Sequence, residues 1–423
     1  RLFSAGYALE KHKHRVVLRN VDGDERLYEG PAPKKLEGVL PWELPGELRA
    51  LVEKALSLRA LRRVGVAGIR RHGGEVRDDL HKIIARVELE EVYPEGTNEP
   101  AARFLLVFPL RGYTKEARIA FDNHENGLIA EAFGSIVAEA ARWHGRGPNA
   151  YRSKPSVALA PGEVATKGLS DLLGAHLSIM RANEDGIVND FDTEFLHDYR
   201  VALRRMRSLL SEFKRIIPRD THEELSSLLK RLSSPTGGLR ALDVLLLSKG
   251  EYVRRVPASL REGMDRYFSQ VTRERKANFR NVKEFIESPG YRETIHRTNE
   301  LIRELRDSGS TKTLKEAADK ALSRRLRRVQ ADLSSLAASD VSDMARHEVR
   351  IQCKKLRYLF EAVAPLYSKK YVNRAIGQLK RFQDALGRLQ DVAVQQDNLL
   401  AVIHGDAGTQ PRVAAAIRPS AVP

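Results

Sequence analysis

Two eleven-residue stretches hold the side chains best placed to do chemistry. His197-Asp198-Tyr199-Arg200-Val201-Ala202-Leu203-Arg204-Arg205-Met206-Arg207 returns 150 positions later as His347-Glu348-Val349-Arg350-Ile351-Gln352-Cys353-Lys354-Lys355-Leu356-Arg357. Both read H-x-x-R-x-x-x-[RK]-[RK]-x-R, an echo specific enough to mark an internal repeat. One imidazole and a row of cations suit a polyvalent anion. They do not suit a metal, because neither copy has a second His or a carboxylate at ligand spacing.

Only a helix makes these spacings meaningful. At about 100° per residue, positions 0, 3, 7 and 10 fall within roughly 80° of one another. His197, Arg200, Arg204 and Arg207 then form one stripe, while Leu203, Met206, Leu210 and Phe213 form a separate apolar one. In the second copy the stripes are His347, Arg350, Lys354 and Arg357, and Val349, Leu356, Phe360 and Val363. Like charges at these spacings repel by a few tenths of a kcal/mol per pair, which a bound polyanion would offset. A solvated basic face is the plain alternative, and the second copy, with His in the same register, weakens it.

Composition points the same way. The 423 residues, 42% hydrophobic and 30% charged, suit a soluble chain of two or three domains. The net charge is +16, and it is unevenly spread. Residues 1–165 hold 26 Lys+Arg against 23 Asp+Glu, and the remainder 46 against 33. The single cysteine, Cys353, excludes an internal disulfide and a cysteine zinc cluster. No apolar run approaches membrane-spanning length and no signal peptide is visible, so a cytoplasmic protein without a membrane partner is expected. The chain opens at Arg1 rather than Met, which leaves room for a preceding segment.

Along the chain, residues 1–125 read as strands. His14–Arg19 alternates, Asp22-Gly23-Asp24 turns, and Arg26–Glu29 resumes. A helix is expected over Pro41–Leu61. Strands follow at Val64–Arg71, Val76–Val92 and Arg103–Leu110, with Gly73-Gly74 as a turn and Asp78-Asp79 and Glu95 as turn residues. In the third group Lys82, Arg86, Glu88 and Glu90 share a face opposite Ile83, Ala85, Val87 and Leu89. That polar face could line a tunnel with Glu88 and Glu90 on a divalent metal. An ordinary solvent-exposed face is the simpler reading. An Ala-rich helix is expected over 125–143 and a linker over 149–165.

From there helices follow one another: Lys167–Glu184, a motif helix capped by Asp192-Thr193 and running to Ile217-Pro218, His222–Leu232, Leu239–Leu247, Ser259–Ile286 and Tyr291–Arg306. The plan then repeats with Lys312–Leu336, a second motif helix to Ala364-Pro365, Tyr371–Gly387 and Leu389 onward. Lys230 matches Lys380 and Arg240 matches Arg388. Arg240 with Asp243, and Arg388 with Asp391, are spaced for local ion pairs. Among Arg324, Arg325, Arg327 and Arg328, Arg325 is expected on a wet surface, with Arg324 and Arg328 able to face a channel.

The paired H-x-x-R helices, in an all-helical duplicated stretch, resemble the CHAD family of α-helical domains from about Thr166 onward. The run Glu194-Phe195-Leu196-His197-Asp198-Tyr199-Arg200-Val201-Ala202-Leu203-Arg204-Arg205 is especially typical. The resemblance implies a non-catalytic protein that binds inorganic polyphosphate in a basic channel between two halves, at polyphosphate granules or in polyphosphate metabolism. His197, Arg200, Arg204, Arg205, Arg207, Lys230 and Arg240 would line it from one side. His347, Arg350, Lys354, Lys355, Arg357, Lys380 and Arg388 would line it from the other. Each His would donate a ring N–H to phosphate, more strongly when protonated. Nucleic acid is the weaker partner, since aromatics are 6% of the chain and none lies on the first basic stripe.

The opening Arg1-Leu2-Phe3-Ser4-Ala5-Gly6-Tyr7-Ala8-Leu9-Glu10, with the strand to Arg19, resembles the CYTH family. These tunnel-barrel enzymes act on triphosphates with a divalent metal and are often fused ahead of a CHAD domain. The family's E-x-E-x-K first strand is absent, since it would precede Arg1, and Phe104-Leu105-Leu106-Val107-Phe108 lacks alternating carboxylates. Either the catalytic strand was lost with the N-terminus or the barrel is a degenerate relative. No cofactor is required on this reading, with Mg²⁺ or Mn²⁺ entering only through an active triphosphatase. The expected fold is α+β in two domains. Residues 1–148 form an antiparallel β barrel or sheet. Residues 166–404 form two duplicated four-helix bundles, 166–258 and 312–404, joined by long helices. Residues 405–423 are a tail.

Overall fold

The computed structural model describes residues 2, 5–20, 26–122, 151–255, 261–335 and 343–385. The turn at Asp22-Gly23-Asp24, the helix over 125–143, Arg388 with Asp391, and the tail lie outside the described residues, as does the side chain of His347. The chain divides into two compact units, Arg1–Tyr151 and Arg152–Pro423.

The first unit holds two antiparallel three-stranded meanders, β1 (Tyr7–Lys11), β2 (Arg15–Asn20), β3 (Arg26–Pro31) and β4 (Ala67–Arg77), β5 (Ile83–Pro94), β6 (Ala102–Pro109). Among the described residues they do not close into a barrel. Between them α1 (Gly46–Leu56) lays Leu48, Val52 and Leu56 against Val16 and Leu18 of β2. The helix is shorter than the expected Pro41–Leu61. Pro41–Glu43 forms a separate 3-10 turn, and Ser57, at φ +56°, ends α1. A helix α2 (Thr114–Asp122) follows β6.

Two readings of this unit are corrected. Gly73 and Gly74 lie inside β4, paired with Glu88 and Val87, and the hairpin turns at 78–82 instead. Asp78 Oδ1 accepts hydrogen bonds from the Leu80 and Lys82 amides there, the side-chain mimicry that makes Asp a turn residue. Gly74 serves close strand approach: a Cβ on it would come within 3.0 Å of the Val87 side chain. The face of β5 carrying Glu88 and Glu90 is only partly a solvent face: Lys82 and Arg86 are exposed, whereas Ile84, Glu90 and Val92 on the same side are buried.

Among the described residues the elements of the second unit are all helices, preceded by an irregular stretch up to Val164. They are α3 (Ala165–Ala182), α4 (Glu184–Val188), α5 (Thr193–Phe213), α6 (Arg219–Ser233), α7 (Gly237–Leu247), α8 (Lys249–Arg255), α9 (Arg261–Glu287), α10 (Pro289–Asp307), α11 (Leu314–Ser335) and α12 (Asp343–Val363), with residues 369–385 helical after them. The motif helices are α5 and α12. Asp192 caps α5 by accepting from the Glu194 and Phe195 amides, satisfying two of the N–H groups a helix start leaves unpaired. Each motif helix ends in a 3-10 turn, Lys214–Ile216 and Ala364–Leu366.

The duplication is visible where the two repeats begin. Val164 and Thr313, just ahead of α3 and α11, form an antiparallel bridge. Ala165 N donates to Lys312 O at 3.1 Å and Leu314 N to Glu163 O at 2.8 Å, a reciprocal pair expected of a local two-fold. One hydrophobic core then serves both halves. It joins Leu169 and Leu173 of α3, Leu203, Met206 and Leu210 of α5, Leu322 of α11, and Val349, Leu356 and Val363 of α12. A satellite core of Leu242, Tyr252, Met264 and Phe268 holds α7 and α8 to the long α9.

Candidate functional site

With its apolar stripe in the shared core, α5 is fixed in rotation, and the cations that the heptad-like spacing separates from it are turned outward. Arg204 and Arg207 are exposed, and Arg200 and His197 are half-buried. Arg200 donates to Ser233 O at 3.1 Å and to Thr236 Oγ1 at 2.6 Å, both neutral acceptors. Arg204 donates to the Tyr358 hydroxyl of α12 at 3.4 Å. Among the described residues, none of Arg200, Arg204 and Arg207 has a carboxylate within ion-pair distance.

Electrostatics register the crowding. Burial, then the charges on Arg204 and Arg240, push the Arg200 guanidinium down to about 10, with Arg207 adding to the effect. Burial and Arg240 likewise hold His197 below its ordinary value, opposed by Glu194 and Asp198 and seconded by Arg204. Arg240 reaches this cluster from α7, donating to Thr193 O at 3.1 Å with Glu194 3.9 Å away. The expected Arg240–Asp243 pair gives way to another: Asp243 is bound by Arg275 of α9 at 2.9 Å, because α9 brings a guanidinium onto that buried carboxylate.

The second helix meets this face. Lys355 lies within electrostatic reach of Arg207, and burial followed by Arg325 lowers its pKa, with Glu348 and Glu212 opposing. Arg350 and Lys354 are half-buried on α12. The two copies are not equal, however. Arg357 pairs with Glu361 at 3.0 Å, whereas its counterpart Arg207 has no acid partner among the described residues.

The second cation of each motif doublet braces the halves. Arg205 is 8% exposed, pairs with Glu361 of α12 at 2.8 Å, and donates to Ser153 O at 3.3 Å. Lys355, its counterpart, stands near Glu212 of α5. Arg325 is not on a wet surface: it is bound to Glu212 and to Gln352, because α11 packs it between the two motif helices. Lys230 and Lys380 are exposed, and Arg328 pairs with Asp332 at 3.2 Å. Tyr358 escaped the sequence reading. It is buried, hydrogen-bonded to Arg204, with the Arg205 and Arg357 guanidinium groups 5.5 and 5.0 Å from its ring, so it keys the two helices together.

In the β-rich unit the metal candidates are otherwise engaged. Glu90 and Glu88 accept the Arg71 guanidinium at 2.6 and 2.9 Å, and among the described residues no His, Cys, Asp or Glu cluster could hold a metal. Nor, among them, is any helix long and apolar enough to cross a membrane.

Comparisons with known proteins bear on the helical unit. No curated protein matches this chain. The crystal structure of the CHAD domain from the plant Ricinus communis superposes with a TM-score of 0.52 at 23% identity, covering 64% of this chain and 88% of that one. PptA from Streptomyces chartreusis matches with a TM-score of 0.44 at 16% identity, over 60% and 92%. The CHAD domain family model matches residues 171–400, from within α3 to beyond the second motif helix. Spanning both copies of the basic motif and more than half of the chain, that match places this protein in the CHAD domain family.

Proposed function

We propose that the helical unit binds inorganic polyphosphate along the face where α5 and α12 meet, and that it does so at polyphosphate granules without catalysing a reaction. One observation carries the reading: Arg200, Arg204 and Arg207 form a ridge without carboxylate partners among the described residues, and Arg207 lies within electrostatic reach of Lys355 of the opposite repeat. A cationic face this crowded costs free energy when empty and returns it when anionic oxygens enter. Arginines can each grip two phosphate oxygens, Lys354 acts as a point charge, and His197 supplies a further donor. His347, Arg350 and Arg388 would extend the path on the second repeat. No metal is needed for such binding.

Replacing Arg204 and Lys354 together with Glu tests the channel. Both sit away from the shared core, so the variant should keep its helical circular dichroism. It should no longer retain long-chain polyphosphate at a salt concentration where the native protein does. Native binding should also weaken steeply as salt rises, because released counterions are diluted less favourably. Undiminished retention by the folded double variant would refute the assignment.

A further inference from the structure

A cleft of about 550 Å³ opens between the C-terminal end of α5 and the first half of α11. We propose that it is a second, separate anion site, which takes a small molecule carrying three or more clustered phosphoryl groups. Arg215, Lys312, Lys320, Arg324 and Arg327 line it. Lys320, Arg324 and Arg327 recur at i, i+4 and i+7, so they share one face of α11 over about 10 Å. Arg215 closes from the 3-10 turn after α5, and Lys312 from the segment before α11. Cations thus converge from three chain segments.

Two carboxylates also line the cleft, and both are engaged. Glu212 is held by Arg325, which is not a lining residue, and by Arg324, which donates to its backbone carbonyl and stands 3.9 Å from its carboxylate. Asp319 accepts from Lys315 and from the Tyr367 hydroxyl, at 2.6 and 2.7 Å. Among the described residues Arg215, Lys312, Lys320 and Arg327 have no ion-pair partner at all. The charge left over is therefore strongly positive, in a hollow of the size that small ligands fill.

The cleft is not the ridge seen from another side. Glu212 stands eight positions beyond Arg204 on α5, hence about 80° round the helix axis. Arg325, bound to Glu212 and Gln352, stands beside Arg324 in sequence on the side of the motif helices. An extended chain suits the ridge; a compact cluster of phosphates suits the hollow, where four cations without ion-pair partners among the described residues converge beside Arg324.

Titration calorimetry of the full chain with sodium tripolyphosphate tests this. The native protein should show a tripolyphosphate site that Lys320→Glu with Arg327→Glu weakens at least tenfold, while retention of long-chain polyphosphate persists. Both positions are exposed, and Lys320→Gln with Arg327→Gln serves as the milder variant if the charge reversal disturbs folding. The Arg204→Glu, Lys354→Glu variant should do the opposite, losing long chains and keeping this tripolyphosphate site. Competition with ATP separates sources: displacement assigns the site to nucleoside polyphosphates as well, and its absence to inorganic ones. Tripolyphosphate binding unchanged in affinity and stoichiometry in both Lys320, Arg327 variants would overturn the proposal. If long-chain retention failed in the native protein while this site survived, the ridge reading alone would fall.

Discussion

In the β4–β5–β6 sheet of the first unit, Arg71 lies against Glu90 and Glu88, and Arg103 against Glu91 at 3.0 Å. On α5 of the second, Arg200, Arg204 and Arg207 face one another with no acid in reach among the described residues. The same residue type is thus matched in one unit and left unmatched in the other. Matching makes an arginine part of the fold. Leaving three unmatched on one face stores repulsion that a ligand can relieve. Arg205 shows that the helical unit does not lack acids: where it wants a brace, it supplies Glu361.

The largest effect should come from unmatching an arginine of the β-rich unit. Glu90 is 2% exposed, so Glu90→Gln would remove a buried carboxylate and leave the half-exposed Arg71 guanidinium with Glu88 as its remaining ion-pair partner. The loss should be about 1–2 kcal/mol: the buried Glu90 site gives up a charge-assisted hydrogen bond, while the half-exposed Arg71 keeps water and Glu88. Urea unfolding followed by the far-ultraviolet signal of the strands measures this. A loss under about 0.5 kcal/mol would mean that the pair is solvated and the contrast between the units is weaker than drawn.

A smaller effect should come from His197, which sharpens the contrast by reporting on the unmatched face. Burial and Arg240 depress its pKa in the free protein, with Arg204 adding and Glu194 and Asp198 opposing. A bound polyanion brings negative charge and raises it, so binding takes up a proton. The sign follows: affinity rises as pH falls below neutrality, by up to about tenfold per pH unit for one full proton. Calorimetry at pH 6 in two buffers of different ionisation enthalpy counts that proton. His197→Gln should remove it; proton uptake unchanged in that variant would assign the linkage to another group.

Much of this was legible in residue order. The 3.6-residue period separates the basic stripe from Leu203, Met206 and Leu210, which do enter the core, and Asp192 reads as a cap and is one. The inequality of the two ridges was also legible, though it went unread. At the same offset that aligns the histidines, Ser208 and Ser211 of the first repeat face Tyr358 and Glu361 of the second, so only the second ridge carries an acid. What order alone could not give was pairing across distance. Arg325 turned out to be a brace because α11 packs beside both motif helices, and Asp243 took Arg275 from α9. Gly73-Gly74 misled because glycine marks close strand approach as well as turns, and the two uses look alike without the partner strand.

The smallest predicted effect tests the idea of stored repulsion directly. Arg207 is exposed, makes no ion pair among the described residues, and acts on Arg200 and Lys355 as a like charge. Arg207→Gln keeps the length of the side chain and a similar helix propensity, so the substitution changes little besides the charge. Relieving two or three like-charge contacts should stabilise the free protein by a few tenths of a kcal/mol, at low salt and less at high salt. In the same variant, long-chain polyphosphate should raise the melting temperature less than it does in the native protein, since stabilisation by a ligand follows its affinity. The pair of results matters more than either alone. A variant that is both less stable and a poorer binder would show Arg207 holding the helices together, as Arg205 does, and the ridge would then be one cation shorter than proposed.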